Sequence, residues 1–159
     1  MKRLAQRLVF GGISHNAVTV DLGLAALRIC TGLALCLVFG KLLPREGGAW
    51  GPGEEFVAEV AGMGFPAPHA FAWGAVLSES VGGIFLVAGF LTRPAALLNS
   101  VTTGFAAFWF HRDIARDGAT AMAFFVMTTT LVLTGPGRFS VDALFRWFQP
   151  RTAGSPPPM

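Results

Sequence analysis

Residues 70–110, AFAWGAVLSESVGGIFLVAGFLTRPAALLNSVTTGFAAFWF, decide how this chain folds. They hold two apolar runs, 70–91 and 94–110, with one acid, Glu79, in the first and only Thr92-Arg93 between them. Each run approaches the ~17–25 residues a helix needs to cross a hydrocarbon core. Two such runs with so short a break predict an antiparallel hairpin. Pro94 suits the first turn of the second helix, where a missing N–H is harmless. Lipid offers no partner to exposed backbone groups, so the segments are expected to be helices and not strands.

Two further apolar runs flank the hairpin: 20–40, interrupted by Arg28, and 118–134, without a charge. The whole chain of 159 residues is 53% apolar and only 13% charged, against about 25% charged in a soluble domain. Its mean hydropathy is +0.57. A soluble globule of this size has too much surface to cover with so few charges, and such hydrophobicity excludes disorder. The expected fold is all-α: an integral membrane bundle of four transmembrane helices over residues 20–148. Residues 1–19 are read as a cytoplasmic lead-in and 149–159 as a disordered tail.

The 12 Lys and Arg outnumber the 9 Asp and Glu. They are scattered and border the apolar runs, which speaks for membrane topology and against a nucleic-acid surface. Seven of those bordering the four runs fall on the side of the N-terminus, the Arg93 turn and the C-terminal tail, and four on the other. By the positive-inside rule both termini are expected in the cytoplasm. The first outer loop, 41–69, is long enough to carry structure. Pro52-Gly53-Glu54-Glu55 places acids at a helix start, Phe56, Val60 and Met63 follow at helical spacing, and Gly62, Gly64 and Pro66 end it. A short amphipathic helix on the membrane surface is expected there.

Arg28 and Glu79 are charges inside apolar runs, where each costs a few kcal/mol unless satisfied. Counted from the inner ends of their segments they lie about 12 and 18 Å deep, so a buried ion pair between neighbouring helices is expected, either setting helix register or forming part of a proton or ligand site. Beside Glu79, Gly74, Ser78 and Gly82 recur every four residues, with Ser80 and Gly83 adjacent. This stripe either admits a second helix closely or leaves room for a flat ligand, with Ser78, Ser80, Gly82 and Gly83 as candidate quinone contacts. His69 and His111, near Glu59 and Asp113, are candidate metal ligands at the outer helix ends; interface hydrogen bonding is the plainer reading. Cys30 and Cys36 on one helix lie about 9 Å apart, too far for a disulfide. No nucleotide, phosphate or nucleophile-elbow motif is present, and no catalytic residue is assigned.

Several of these residues form a pattern. Arg28, Gly32 and Gly40-Lys41 in the first segment are followed in the second by Glu79-x-x-Gly82-Gly83-x-x-Leu86-x-x-Gly89-x-x-Thr92-Arg93. His111 and a terminal Gly135-Pro136-Gly137-x-x-Ser140-x-Asp142 complete it. Over roughly residues 22–145 the chain resembles the DoxX family of bacteria and archaea. The resemblance implies four membrane helices and kinship to a subunit of thiosulfate:quinone oxidoreductase. It points to a bacterial cytoplasmic membrane protein in a redox complex, acting between a sulfur or thiol donor and quinone, in oxidative-stress defence. Quinone is then the expected cofactor, and the lipid bilayer and other membrane or peripheral redox subunits the expected partners. A non-catalytic membrane anchor or assembly module, and a small transporter built by homo-oligomerisation, are the alternatives.

Overall fold

A computed structural model describes residues 17–39, 51–110 and 118–148, and every regular element among them is helical. α1 is Ala17–Ala34, extended by a π-helical turn, Leu35–Phe39; α2 is Glu54–Gly62; α3 is Pro68–Ala88. α4 is Thr92–Phe105, extended by a second π-helical turn, Ala106–Phe110; α5 is Ala119–Thr134; and α6 is Val141–Phe148. Most of the expected lead-in and all of the expected tail fall outside the described residues, as do Lys41, His111 and Asp113.

The helices α1, α3, α4 and α5 pack in a closed ring, each on the next, and α2 lies against α3. Val18–Leu37 and Pro68–Ala88 are long and apolar enough to cross a membrane; α5 is apolar but shorter. The distribution of polarity is that of a bundle in lipid. Leu37, Leu98 and Leu133 are 64%, 60% and 75% exposed, while Arg28, Thr31, Asn99, Thr103 and Thr128 are buried. Water would reverse that order. Between helices in lipid, hydroxyls bond to backbone or to each other. Thr103 and Thr128 donate to the carbonyls of Asn99 and Phe124, four residues back. Ser78 meets Thr102 at 2.8 Å, joining α3 to α4, and Ser100 meets Thr129 at 2.8 Å, joining α4 to α5.

The α3–α4 turn is set by local chemistry. Gly89 takes the left-handed conformation that ends α3. Its N–H donates to Leu86 and that of Phe90 to Phe85, while the Phe85 and Phe90 rings sit 5.4 Å apart. This is the two-bond glycine termination with its apolar contact. The link is therefore Gly89–Leu91, and Thr92-Arg93, expected to be the loop, forms the first turn of α4.

Close approach of α1 and α3 sets their register. A Cβ on Gly32 would lie 2.6 Å from the Gly83 carbonyl oxygen, and one on Gly83 2.8 Å from that of Gly32. The backbones touch there, as small residues permit. In the loop after α1, α2 starts on Glu54 and Glu55 as the acids predicted. Its Val57 and Val60 pack with Ala72 of α3, with Phe56, Met63 and Phe65 around them.

Candidate functional site

Polar chemistry collects in two places. The first is the end of the bundle that carries the α3–α4 turn. Arg28, only 2% exposed, donates from its two terminal nitrogens to the carbonyl oxygens of Pro136 (2.9 Å) and Phe139 (2.7 Å). Asp142 accepts the N–H groups of Leu91 (2.8 Å) and Thr92 (2.9 Å), while its own N–H donates to the Gly89 carbonyl. Leu91 is left-handed, at φ 46°, a conformation costing a side-chain-bearing residue about 1–2 kcal/mol. No side chain of α4 caps its start, so Asp142 supplies that cap from fifty residues away. A Cβ at Gly89 would overlap the Arg28 guanidinium, which makes glycine necessary there twice over. Ser140 accepts the N–H of Ala143 at 3.1 Å and caps α6. Asp21 of α1 accepts the Arg138 N–H at 3.0 Å.

Arg28, Gly89, Thr92, Pro136, Ser140 and Asp142 thus converge in one lock that ties α1, the turn and the 135–142 segment together. Asp142→Ala strips the cap from α4 and should cost about 1–3 kcal/mol, on the scale of a lost cap with a second amide stranded. Denaturant unfolding in detergent measures it.

The lock corrects one expectation. Arg28 does not meet Glu79. Its guanidinium lies at Gly89, ten residues along α3 from Glu79, or about 15 Å. Counting depth from the ends of the two segments assumed that those ends are level. In the structure α1 runs on past the end of α3, so that Arg28 stands beside the turn, where carbonyl oxygens take up its two terminal nitrogens while its buried Nε has no partner among the described residues.

The second place is a groove of about 470 Å³ between α2, α3 and α4. Phe56, Phe65, Phe71 and Phe105 wall it, and Val60 of α2 with Met63 just past its end roof it. The Phe65 ring stands 4.5 Å from that of Phe71 and 5.8 Å from that of Phe105. Ser78, Glu79 and Thr102 are its polar lining, near the middle of α3. Ala106, where the second π-helical turn begins, also lines it. Such turns are frequent at functional sites.

The small-residue stripe divides between packing and groove. Gly74 and Ser78 line the groove, and a Cβ on Gly74 would meet nothing within 4 Å. Gly82 and Gly83 do not reach it: Gly82 lies under the Asn99 side chain of α4, and Gly83 under Gly32 and Cys36 of α1. Ser80 is buried, away from the groove, with its hydroxyl unpaired among the described residues. Of the four candidate quinone contacts, only Ser78 is on the groove. A helix has room for one open stripe and two packed faces, and spacing alone did not say which glycine served which. His69 is exposed in the first turn of α3, outside the groove lining; His111 lies outside the described residues. Among the described residues no three His, Cys, Asp or Glu side chains are placed to hold a metal ion. Asp142 and the carbonyls of Pro136 and Phe139 were not singled out as Arg28's surroundings, because backbone acceptors leave no trace in sequence.

The DoxX family model matches residues 23–112, from α1 through α4. This chain belongs to the DoxX family. It is similar to the inner membrane protein YqjF of Escherichia coli strain K12, with 37% identity over 75 residues, 43% of this chain. That stretch spans 57% of the relative's length. No solved structure matches. The match contains Arg28, Gly32, Glu79 and the Gly82–Arg93 run, while the 135–142 segment that completes the lock lies beyond it. The chain is a membrane protein of the DoxX family, and the lock accounts structurally for the charge that its first helix carries.

Proposed function

We infer that this chain crosses the cytoplasmic membrane four times and is the quinone-binding membrane subunit of a redox complex. The observation that carries this reading is the aromatic-walled groove with Ser78, Thr102 and Glu79 in its lining. Ligand pockets for flat organic molecules run to about 300–1,000 Å³, mostly apolar with a few placed polar groups. A quinone ring would lie between the phenylalanines, with hydroxyls and a carboxyl in reach of its oxygens and its isoprenoid chain leaving along the lipid-facing side. The residues present fit the group. Quinone supplies two-electron acceptor chemistry when bound; this chain's part is to hold the ring and offer Glu79 as a proton-bearing group. Sulfur or thiol oxidation belongs to a partner subunit in this reading, consistent with the resemblance to a thiosulfate:quinone oxidoreductase subunit.

Four spans are supported by the four-helix ring and its apolar exterior, and the bacterial cytoplasmic membrane by the location of the Escherichia coli relative. With the α3–α4 turn on the cytoplasmic side, α2 lies at the outer surface and roofs the groove. Reporter fusions after Ala49 and Asp113 should read outside, and fusions after Arg93 and Arg151 inside. An outside reading at Arg151 overturns the arrangement.

The ligand is tested by extracting quinone from protein purified from its native membrane. Wild type should carry close to one quinone per chain. Gly74→Leu, which fills open space, should lower it at least tenfold with four spans intact. Native protein free of quinone, and co-purifying only with partners that have no redox activity, would assign the chain to the anchor class instead.

A further inference from the structure

The lock borders a second cavity, of about 430 Å³, opening at the turn end of the bundle. Four charged side chains line it: Arg93, Arg138, Asp21 and Asp142. The two acids are already engaged. Both oxygens of Asp142 accept backbone N–H groups, and Oδ1 of Asp21 accepts the Arg138 N–H. The bases are not matched in the same way. Arg93 is exposed and has no hydrogen bond or ion pair among the described residues. Its guanidinium lies over Gly135, where a Cβ would stand 3.2 Å from Nε. Arg138 is 72% exposed on its side chain, and its approach to Asp21 is long, at 3.9 Å. Arg28 stands behind them, spent on the Pro136 and Phe139 carbonyls.

Two guanidinium groups therefore face one cavity, Arg93 unpaired among the described residues and Arg138 held only by the long approach to Asp21. Their depth says which anion is at hand. α3 has 21 residues, about 31 Å, the full thickness of a hydrocarbon core. Arg93 follows its end by five residues, and Arg138 follows the end of α5 by four. In a bilayer that α3 spans, as in the four-span reading above, both stand at the rim, where lipid phosphates lie. Guanidinium forks match phosphate oxygens two at a time, and basic pockets between membrane helices take anionic head groups. We propose that Arg93 and Arg138 hold the phosphate of one membrane phospholipid in this cavity, and that the lipid clamps the α3–α4 turn to the 135–138 segment. The site is separate from the groove and stands whether or not quinone binds there.

Native mass spectrometry of protein released from its membrane in mild detergent should find one phospholipid retained per chain. The double variant Arg93→Gln/Arg138→Gln should retain at least tenfold less, with unchanged quinone content. Arg93→Gln alone, at an exposed and unpaired position, keeps the fold and should show part of the loss. In a second arm, delipidated wild type is titrated with phosphatidylglycerol or with inorganic phosphate at equal ionic strength. A rise in melting temperature with the lipid only, lost in the double variant, supports the proposal. An equal rise with inorganic phosphate and no retained lipid makes the anion a soluble phosphate and overturns the lipid assignment. Equal retention by variant and wild type, or no retention at all, overturns the site.

Discussion

Arg28→Leu should be among the most damaging single substitutions in this chain, lowering stability in detergent by roughly 3–5 kcal/mol. The side chain is buried and gives charge-assisted hydrogen bonds to two backbone carbonyls, each worth about 1.5–3 kcal/mol. Leucine leaves the carbonyls of Pro136 and Phe139 without that donor and loosens the 135–142 segment from α1, to which the Asp21 bond to the Arg138 N–H still ties it. Asp142 then loses its nearby cation while still tied to the α3–α4 turn. The decisive comparison is with Glu79→Leu. An ion pair between the two would make the double variant more stable than the sum of the singles predicts. Because the Arg28 guanidinium sits at Gly89, about 15 Å along α3 from Glu79, the effects should add to within ~0.5 kcal/mol, as they do for separated sites. Chemical unfolding of the four proteins in one detergent measures this. Recovery in the double variant would restore the ion pair and remove the lock.

Gly83→Leu should be comparably severe, and Gly74→Leu mild, though the two glycines share one helix. Gly83 faces the backbone of α1, where a Cβ would stand 2.8 Å from the Gly32 oxygen and 3.0 Å from the Cys36 nitrogen. Backbone cannot yield as a flexible side chain can, so the cost should reach or exceed the ~1–3 kcal/mol typical of overpacking. Loss of monodisperse protein on size exclusion and a lower melting temperature are the expected readings. Gly82→Leu strikes the Asn99 side chain of α4 and not backbone, so it should cost less than Gly83→Leu; it fills packed space away from the groove, which makes it a poor probe of ligand binding. Gly74 opens on the groove and has nothing within 4 Å of a Cβ, so Gly74→Leu should elute and melt like wild type. A Gly83→Leu protein as stable as wild type would mean that α1 and α3 are not in backbone contact.

The sequence by itself determined the positions of the helices to within about a turn, and their polarity. Run length, the Gly and Pro breakers and the acids at Glu54 and Glu55 act within a few residues, so they are legible without knowing the fold. The helix over 54–62, the termination at Gly89 and the cap at Ser140 all have their causes next to them in the chain. Which residues meet was decided only by tertiary structure. Helical spacing identifies a face but not the height at which that face meets a neighbour. That height is fixed by the Gly32–Gly83 contact, and it carries Arg28 to the turn and not to Glu79. The acceptors that hold the two terminal nitrogens of Arg28 are main-chain oxygens more than a hundred residues away, which any sequence could offer. The groove likewise depends on α2 folding back over α3 and α4, and its existence is a matter of packing distance that no single segment encodes.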